Sequence, residues 1–317
     1  MAHTSVFSFP ENITLFCAAV GTGNQLLLLT LSQLALGLVG AISATKRGSI
    51  LAGVVLLYCP LSLVGGYAAV RLFRQLTGKK DWMSCALITA GLFPTPVAIV
   101  FTWTNTVALA YGSSMALPTR TLFACLALYS LVSFPLTMLG GYLAKDTTAR
   151  STTRMQTSRE IPANVSWKRG RFSQIFLAAC LPFFSLSTEL HSIFSCMWGH
   201  QVYNMFGILT MMFVLLVALT CLLTLYLLLF QLERRAHPLW SETFCNGGMT
   251  GLVIYGISFS LFRHYSDMTG LLQLSFYFGY MAVVSFAFFL MLGSAGFQCS
   301  FAYVQSLQRQ EAQGHTK

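Results

Sequence analysis

Glu189 is the residue whose type and position most clearly predict chemistry inside a membrane. Among nine acidic residues, it alone lies well inside a long apolar segment, where a charged carboxylate must be protonated or partnered. Ser185 and Ser192 share its helical face, and Asn105 is a further intramembrane polar candidate. Two interpretations stay open: an ion or proton site, or a neutral carboxyl group that is hydrogen-bonded between helices.

Closely spaced glycines form the second group of candidates. In lipid, small residues let helix backbones approach closely, so these positions predict tight helix packing. Either they pack helices of this chain together, or some of them form a groove for the transmembrane helix of another protein. The candidates for helix packing or client binding are Gly21, Gly23, Gly65, Gly66, Gly140, Gly141, Gly247, Gly248 and Gly251.

Residue patterns typical of enzymes and metal sites are missing from the sequence. No two of the six histidines have metal-ligand spacing on one helical face, and the nine cysteines are scattered singly. We find no arrangement of nucleophile, base and orienting residue, and no pair of carboxylates suited to acid–base catalysis. The sequence therefore predicts a non-enzymatic protein with no metal and no cofactor.

Long apolar segments must position these residues. The chain is 55% hydrophobic and 9% charged, whereas soluble domains contain about 25% charged residues. A helix of about 20 apolar residues crosses the hydrocarbon core of a bilayer. We therefore predict an all-α, polytopic transmembrane bundle of about eight helices over residues 13–304, between an N-terminal segment at 1–12 and a tail at 305–317. The predicted spans are 13–43, 49–75, 83–110, 121–144, 173–196, 203–231, 245–263 and 270–304.

The distribution of basic residues predicts the orientation. With the N-terminus in the cytosol, fifteen of the nineteen Lys and Arg residues are cytosolic, including those of a long basic loop at 145–172. Both termini are then cytosolic, and the sequons at Asn12 and Asn164 receive no glycan. The net charge of +10 is explained by topology, so nucleic acid is not a predicted partner. The four Lys and Arg residues that this orientation places on the side opposite the cytosol are Lys46, Arg47, Arg120 and Arg263.

The basic loop is either a solvated linker or a surface that lies on anionic lipid headgroups.

Several short strings, taken in order, resemble the membrane domain of the nonaspanins, the transmembrane nine superfamily. The resemblance covers roughly residues 5–304. In that family, a large lumenal domain and a first helix precede a cytosolic segment and eight more helices, so this chain is similar to the last part only. The strings include Ser5–Pro10, Ala19–Gln25, Ala44–Ser49, Leu92–Pro94, Asn105–Ser114, Val132–Thr137, Arg159–Pro162, Trp198–Tyr203 and Phe278–Met281.

The resemblance implies a role in Golgi or endosomal membranes, in sorting and localising other membrane proteins that have glycine-rich transmembrane segments. The implied partners are the lipid bilayer, such client proteins, and cytosolic coat or sorting factors. Two features depart from the family pattern: the tail lacks paired lysines near its end, and Arg120 stands where the family usually has a small residue. The alternative function is a secondary transporter or channel that uses Glu189 as its intramembrane site.

Overall fold

The computed structural model describes residues 12–42, 48–78, 81–113, 116–146, 180, 182, 205–233, 240–265 and 270–314. These residues form helices joined by short connections, and none of them is in a β-strand. Helices suit a lipid environment because each satisfies its backbone hydrogen bonds internally. The helices are α1 (Ile13–Leu38), α2 (Ser49–Thr77), α3 (Trp82–Leu92), α4 (Pro94–Ala110), α5 (Thr119–Leu128), α6 (Phe134–Ala144), α7 (Met205–Glu233), α8 (Trp240–Tyr265) and α9 (Leu271–Gly314).

Seven stretches of the described chain are long and apolar enough to cross a membrane. They correspond to seven of the eight predicted spans, and the all-α bundle is confirmed. The remaining prediction, 173–196, lies outside the described residues except for Cys180 and Pro182. The largest difference in helix bounds is in α9, which continues through Gly314 instead of ending at 304. Smaller differences are that α1 ends at Leu38 instead of 43 and that α8 begins at Trp240 instead of 245.

Two of the spans are interrupted. The third predicted span, 83–110, is divided at Phe93, where α3 ends and α4 starts with Pro94. The fourth contains a π-helical turn at Tyr129–Ser133 between α5 and α6. Proline removes a helical N–H donor and π turns insert an extra residue, and both are common causes of bends in helices.

Contacts between the helices define two ends of the bundle. Cys85 near the start of α3 lies against the carbonyl group of Thr14 near the start of α1, at the end where α2 and α6 stop. We call this the basic end, because Arg71, Arg74 and Lys145 lie there. At the opposite end, α1 stops, and α2 begins with a hydrogen bond from Gln33 Nε2 to the carbonyl oxygen of Ile50 at 3.0 Å.

The helix α7 begins at the opposite end, because Phe206 packs against Gly37 near the end of α1. The helix α6 ends at the basic end, where Gly141 packs beside Trp82. The chain therefore lies at the basic end at residue 146 and at the opposite end at residue 205.

The helix α1 is central to the packing, in contact with α2, α3, α7 and α9. Near the basic end, buried aromatic rings join α1, α8 and α9. Phe16 meets Phe297 edge to face with ring centroids 5.0 Å apart, and Trp240 meets Phe297 in the same way at 5.5 Å. Edge-to-face aromatic pairs stabilise by about 0.5–1.5 kcal/mol beyond their buried area, so this cluster fixes three helices at one level.

Candidate functional site

The predicted glycines of α1 lie against two other helices. A Cβ atom on Gly21 would lie 2.5 Å from the Cβ atom of Ala69 on α2. A Cβ atom on Gly23 would overlap the carbonyl oxygen of Leu290 on α9. Both positions therefore require a residue without a side chain for α1 to contact its neighbours at this distance.

The contact between α2 and α6 is the second place where predicted glycines meet another backbone. Gly66 faces the carbonyl oxygen of Thr137, and Gly140 faces the carbonyl oxygen of Leu63, each too closely for a Cβ atom. Gly141 packs against Val70, and a Cβ atom on Gly141 would lie 3.1 Å from Cγ2 of Val70. Such close approach strengthens dispersion and weak Cα–H hydrogen bonds, which are the main attractive terms between helices in lipid.

The remaining predicted glycines also lie at helix contacts. Gly65 packs against the side chain of Gln25 on α1. On α8, Gly247 faces the carbonyl oxygen of Leu292 and Gly251 faces the backbone of Phe289, with Gly248 against the ring of Phe289. All nine predicted glycines therefore pack against helices of this chain.

One helical glycine that the sequence analysis did not single out is different. Gly256 lies on the outward face of α8, and no atom of the described residues lies within 4 Å of a Cβ atom placed on it. Ser260, one turn later, is exposed, and Leu252 and Phe259 on this face are 54% and 52% exposed. We call Leu252, Gly256, Phe259 and Ser260 the outer α8 face. The available sequence signal was the small-xxx-small spacing of Gly256 and Ser260.

Asn105 is buried in α4 and closes a connection. Its side-chain oxygen Oδ1 accepts a hydrogen bond from the backbone N–H of Leu117 at 2.8 Å, just before α5 begins. The Asn105 side chain thereby gives a partner to the backbone N–H of Leu117, which lies between α4 and α5 at the opposite end of the bundle. This contact gives Asn105 a structural role.

Glu189, Ser185 and Ser192 lie outside the described residues. The intramembrane ion or proton site stays a prediction, and so does the transporter or channel function that depends on it. Among the described residues, no group of three or more His, Cys, Asp or Glu side chains could hold a metal ion.

Buried polar side chains lie where α1, α2, α3 and the π turn meet. The Thr22 hydroxyl contacts the carbonyl oxygens of Ala18 at 2.9 Å and Thr89 at 3.4 Å. The Ser62 hydroxyl donates to the carbonyl oxygen of Ser133 at 3.1 Å, which joins α2 to the π turn. Gln25 is 3% exposed, and its Nε2 has no hydrogen-bond partner among the described residues. These hydroxyl contacts hold helices together, as hydrogen bonds between helices do in lipid.

Comparison with known proteins agrees with this architecture. The family model described as Endomembrane protein 70 matches residues 1–271. Transmembrane 9 superfamily member 3 of Arabidopsis thaliana is 39% identical over 310 residues, which are 97% of this chain and 52% of that protein. Transmembrane 9 superfamily member 1 of Bos taurus is 32% identical over 306 residues, which are 96% of this chain and 50% of that protein.

The chain spans about half the length of the curated relatives it matches. No solved structure matches the chain. The family match extends from the N-terminal segment to the start of α9, and the packed glycines described above lie within it. The resemblance of the short strings to the nonaspanins is therefore confirmed, and the chain belongs to the Endomembrane protein 70 family, the transmembrane 9 superfamily.

Proposed function

We propose that this protein binds the transmembrane helices of client membrane proteins and helps to sort them within Golgi or endosomal membranes. It acts without catalysis, with both termini in the cytosol, where coat or sorting factors reach the connections at the basic end. The observation that supports the proposal best is the outer α8 face, where Gly256 is open to the membrane.

The chemistry of helix association explains why this face suits a client. Helices in lipid gain little from burying apolar side chains, so association depends on close backbone approach and on interhelical hydrogen bonds. The outer α8 face offers a glycine for close approach and the hydroxyl of Ser260 beside it. A client helix with its own glycine face fits there in the way that α9 fits Gly247 and Gly251 on the inward side of α8.

Photocrosslinking tests this proposal. Benzoylphenylalanine replaces Phe259 on the outer α8 face or, as a matched control, Phe123 on α5, which is 71% exposed. The probe is a model transmembrane helix with a glycine face, coexpressed with the full chain. We expect crosslinks from position 259 that exceed those from position 123 and that are lost when the glycines of the model helix become leucines.

A second variant separates helix recognition from random collision in the bilayer. Gly256→Leu fills the open position and should abolish the crosslink from position 259 without changing the amount of folded protein. Equal crosslinking from both positions, or crosslinking that survives Gly256→Leu, would refute binding at the outer α8 face. Correct delivery of glycine-rich clients in cells without the protein would refute the sorting role.

A further inference from the structure

The pairing of α2 with α6 has a constant register that continues to the basic end. Gly66 meets Thr137, and four residues later Val70 meets Gly141. One further step of four residues reaches Arg74 on α2 and Lys145, the residue that follows α6. A four-residue step keeps a side chain on nearly the same face of a helix. The closest helix pair of this region therefore ends with two positive side chains at one level.

Two positive side chains at one level can share a single anion, which favours the charged form of both. Lys145 is partly compensated, because its Nζ atom lies 3.5 Å from the centroid of the Tyr142 ring. The Nε atom of Arg74 is buried and has no hydrogen-bond partner among the described residues. A buried N–H of a charged group is destabilising when it lacks an acceptor, so the Nε atom of Arg74 calls for an acceptor from elsewhere.

The surroundings of this pair are those of a lipid headgroup region. Trp82 meets Tyr142 edge to face at 6.3 Å, and such aromatic rings are enriched where the membrane meets water. Tyr142 and Leu139, one turn apart on α6, are 51% and 47% exposed and form one strip on the surface of that helix. Asp81 and Asp146 are the described acidic residues nearest in sequence, and both are exposed.

We propose that Arg74 and Lys145 bind the phosphate of an anionic phospholipid at the basic end. The guanidinium group donates hydrogen bonds to the phosphate oxygens, and the ammonium group supplies a second positive charge. The acyl chains of this lipid lie along the exposed strip formed by Tyr142 and Leu139. The positive-inside rule places this end at the cytosolic leaflet, which is where anionic phospholipids are concentrated.

Quenching of Trp82 fluorescence tests the proposal, because Trp82 lies beside the site. The purified full chain is reconstituted in bilayers that contain brominated phosphatidylserine or brominated phosphatidylcholine at equal mole fractions. The contribution of Trp82 is the difference between the chain and its Trp82→Phe variant. We expect stronger quenching by brominated phosphatidylserine, and Arg74→Gln and Lys145→Gln should each lower its apparent association constant about fivefold.

Arg120→Gln is the matched control, because it removes one positive charge at the opposite end and should leave the preference unchanged. Melting temperature and elution volume show whether each variant is folded. If Arg74→Gln does not fold, Lys145→Gln decides the question, because position 145 lies beyond the last residue of α6. Equal quenching by the two lipids would overturn the proposal, as would an equal loss in Arg120→Gln. Complete competition by inorganic phosphate would assign the site to a soluble anion and overturn the lipid assignment.

Discussion

The hydroxyl group of Tyr129 donates a hydrogen bond to the carbonyl oxygen of Ala90 at 2.8 Å. In an uninterrupted helix, that oxygen would accept the N–H of the residue four positions later, which here is Pro94 and has no N–H. The proline that divides the third span thus leaves an acceptor free in the apolar interior. The first residue of the π turn in the next span satisfies it, so the two interruptions are linked.

We expect Tyr129→Phe to destabilise the bundle by about 1 kcal/mol, because a carbonyl group in hydrocarbon loses its partner. The measurement is unfolding of the purified chain in mixed micelles, followed by loss of helical circular dichroism. Tyr226→Phe serves as the control, because Tyr226 is 62% exposed. An equal loss of stability in both variants would contradict the specific role of Tyr129.

Pro94→Ala completes this test, because an alanine at position 94 supplies the backbone N–H that the carbonyl oxygen of Ala90 would accept in an uninterrupted helix. In a double-mutant cycle, Tyr129→Phe should cost less in the Pro94→Ala background than in the natural sequence. Additive effects would mean that the Tyr129 hydroxyl does not replace the missing backbone donor.

The effect of a glycine substitution on stability should depend on which atoms lie beside that glycine. Gly140→Ala forces a methyl group against the carbonyl oxygen of Leu63 and should destabilise by about 1–3 kcal/mol. Gly256→Ala, on the outer α8 face, meets no atom of the described residues and should be neutral or stabilising by up to about 1 kcal/mol, because alanine favours helices. The unfolding measurement in mixed micelles compares the two. Equal effects would contradict the packing of α2 against α6.

The spans were predictable because a run of about 20 apolar residues has few structures open to it other than a transmembrane helix. Which face of each helix packs against the protein and which faces the lipid was not predictable. Gly251 and Gly256 are the same residue type on the same helix, yet only Gly251 faces α9. Both faces of α8 are largely apolar, because one meets protein and the other meets lipid, so hydrophobic periodicity does not distinguish them.

The π turn and the register of α2 against α6 were beyond sequence reasoning for a related reason. The segment Tyr129–Ser133 is compatible with an ordinary helix, and its extra residue is accommodated by contacts from Ala90 and Ser62 in other spans. Likewise, Arg74 and Lys145 are 71 positions apart and come to one level only through the contact of Gly66 with Thr137. The charge count predicted their side of the membrane but gave no reason to place them together.

The last prediction tests the orientation with two matched glycines. Gly78 follows α2 at the basic end and Gly112 follows α4 at the opposite end, both are exposed, and their φ angles are 65° and 59°. A cysteine at either site carries a similar left-handed strain, so the variants differ mainly in which end they mark. In sealed microsomes whose cytosolic face is outward, a membrane-impermeant maleimide should label Gly78→Cys at once. It should label Gly112→Cys only after detergent opens the vesicles, because the positive-inside rule places the basic end in the cytosol. The reverse pattern would invert the topology and would remove the proposed phospholipid site from the cytosolic leaflet.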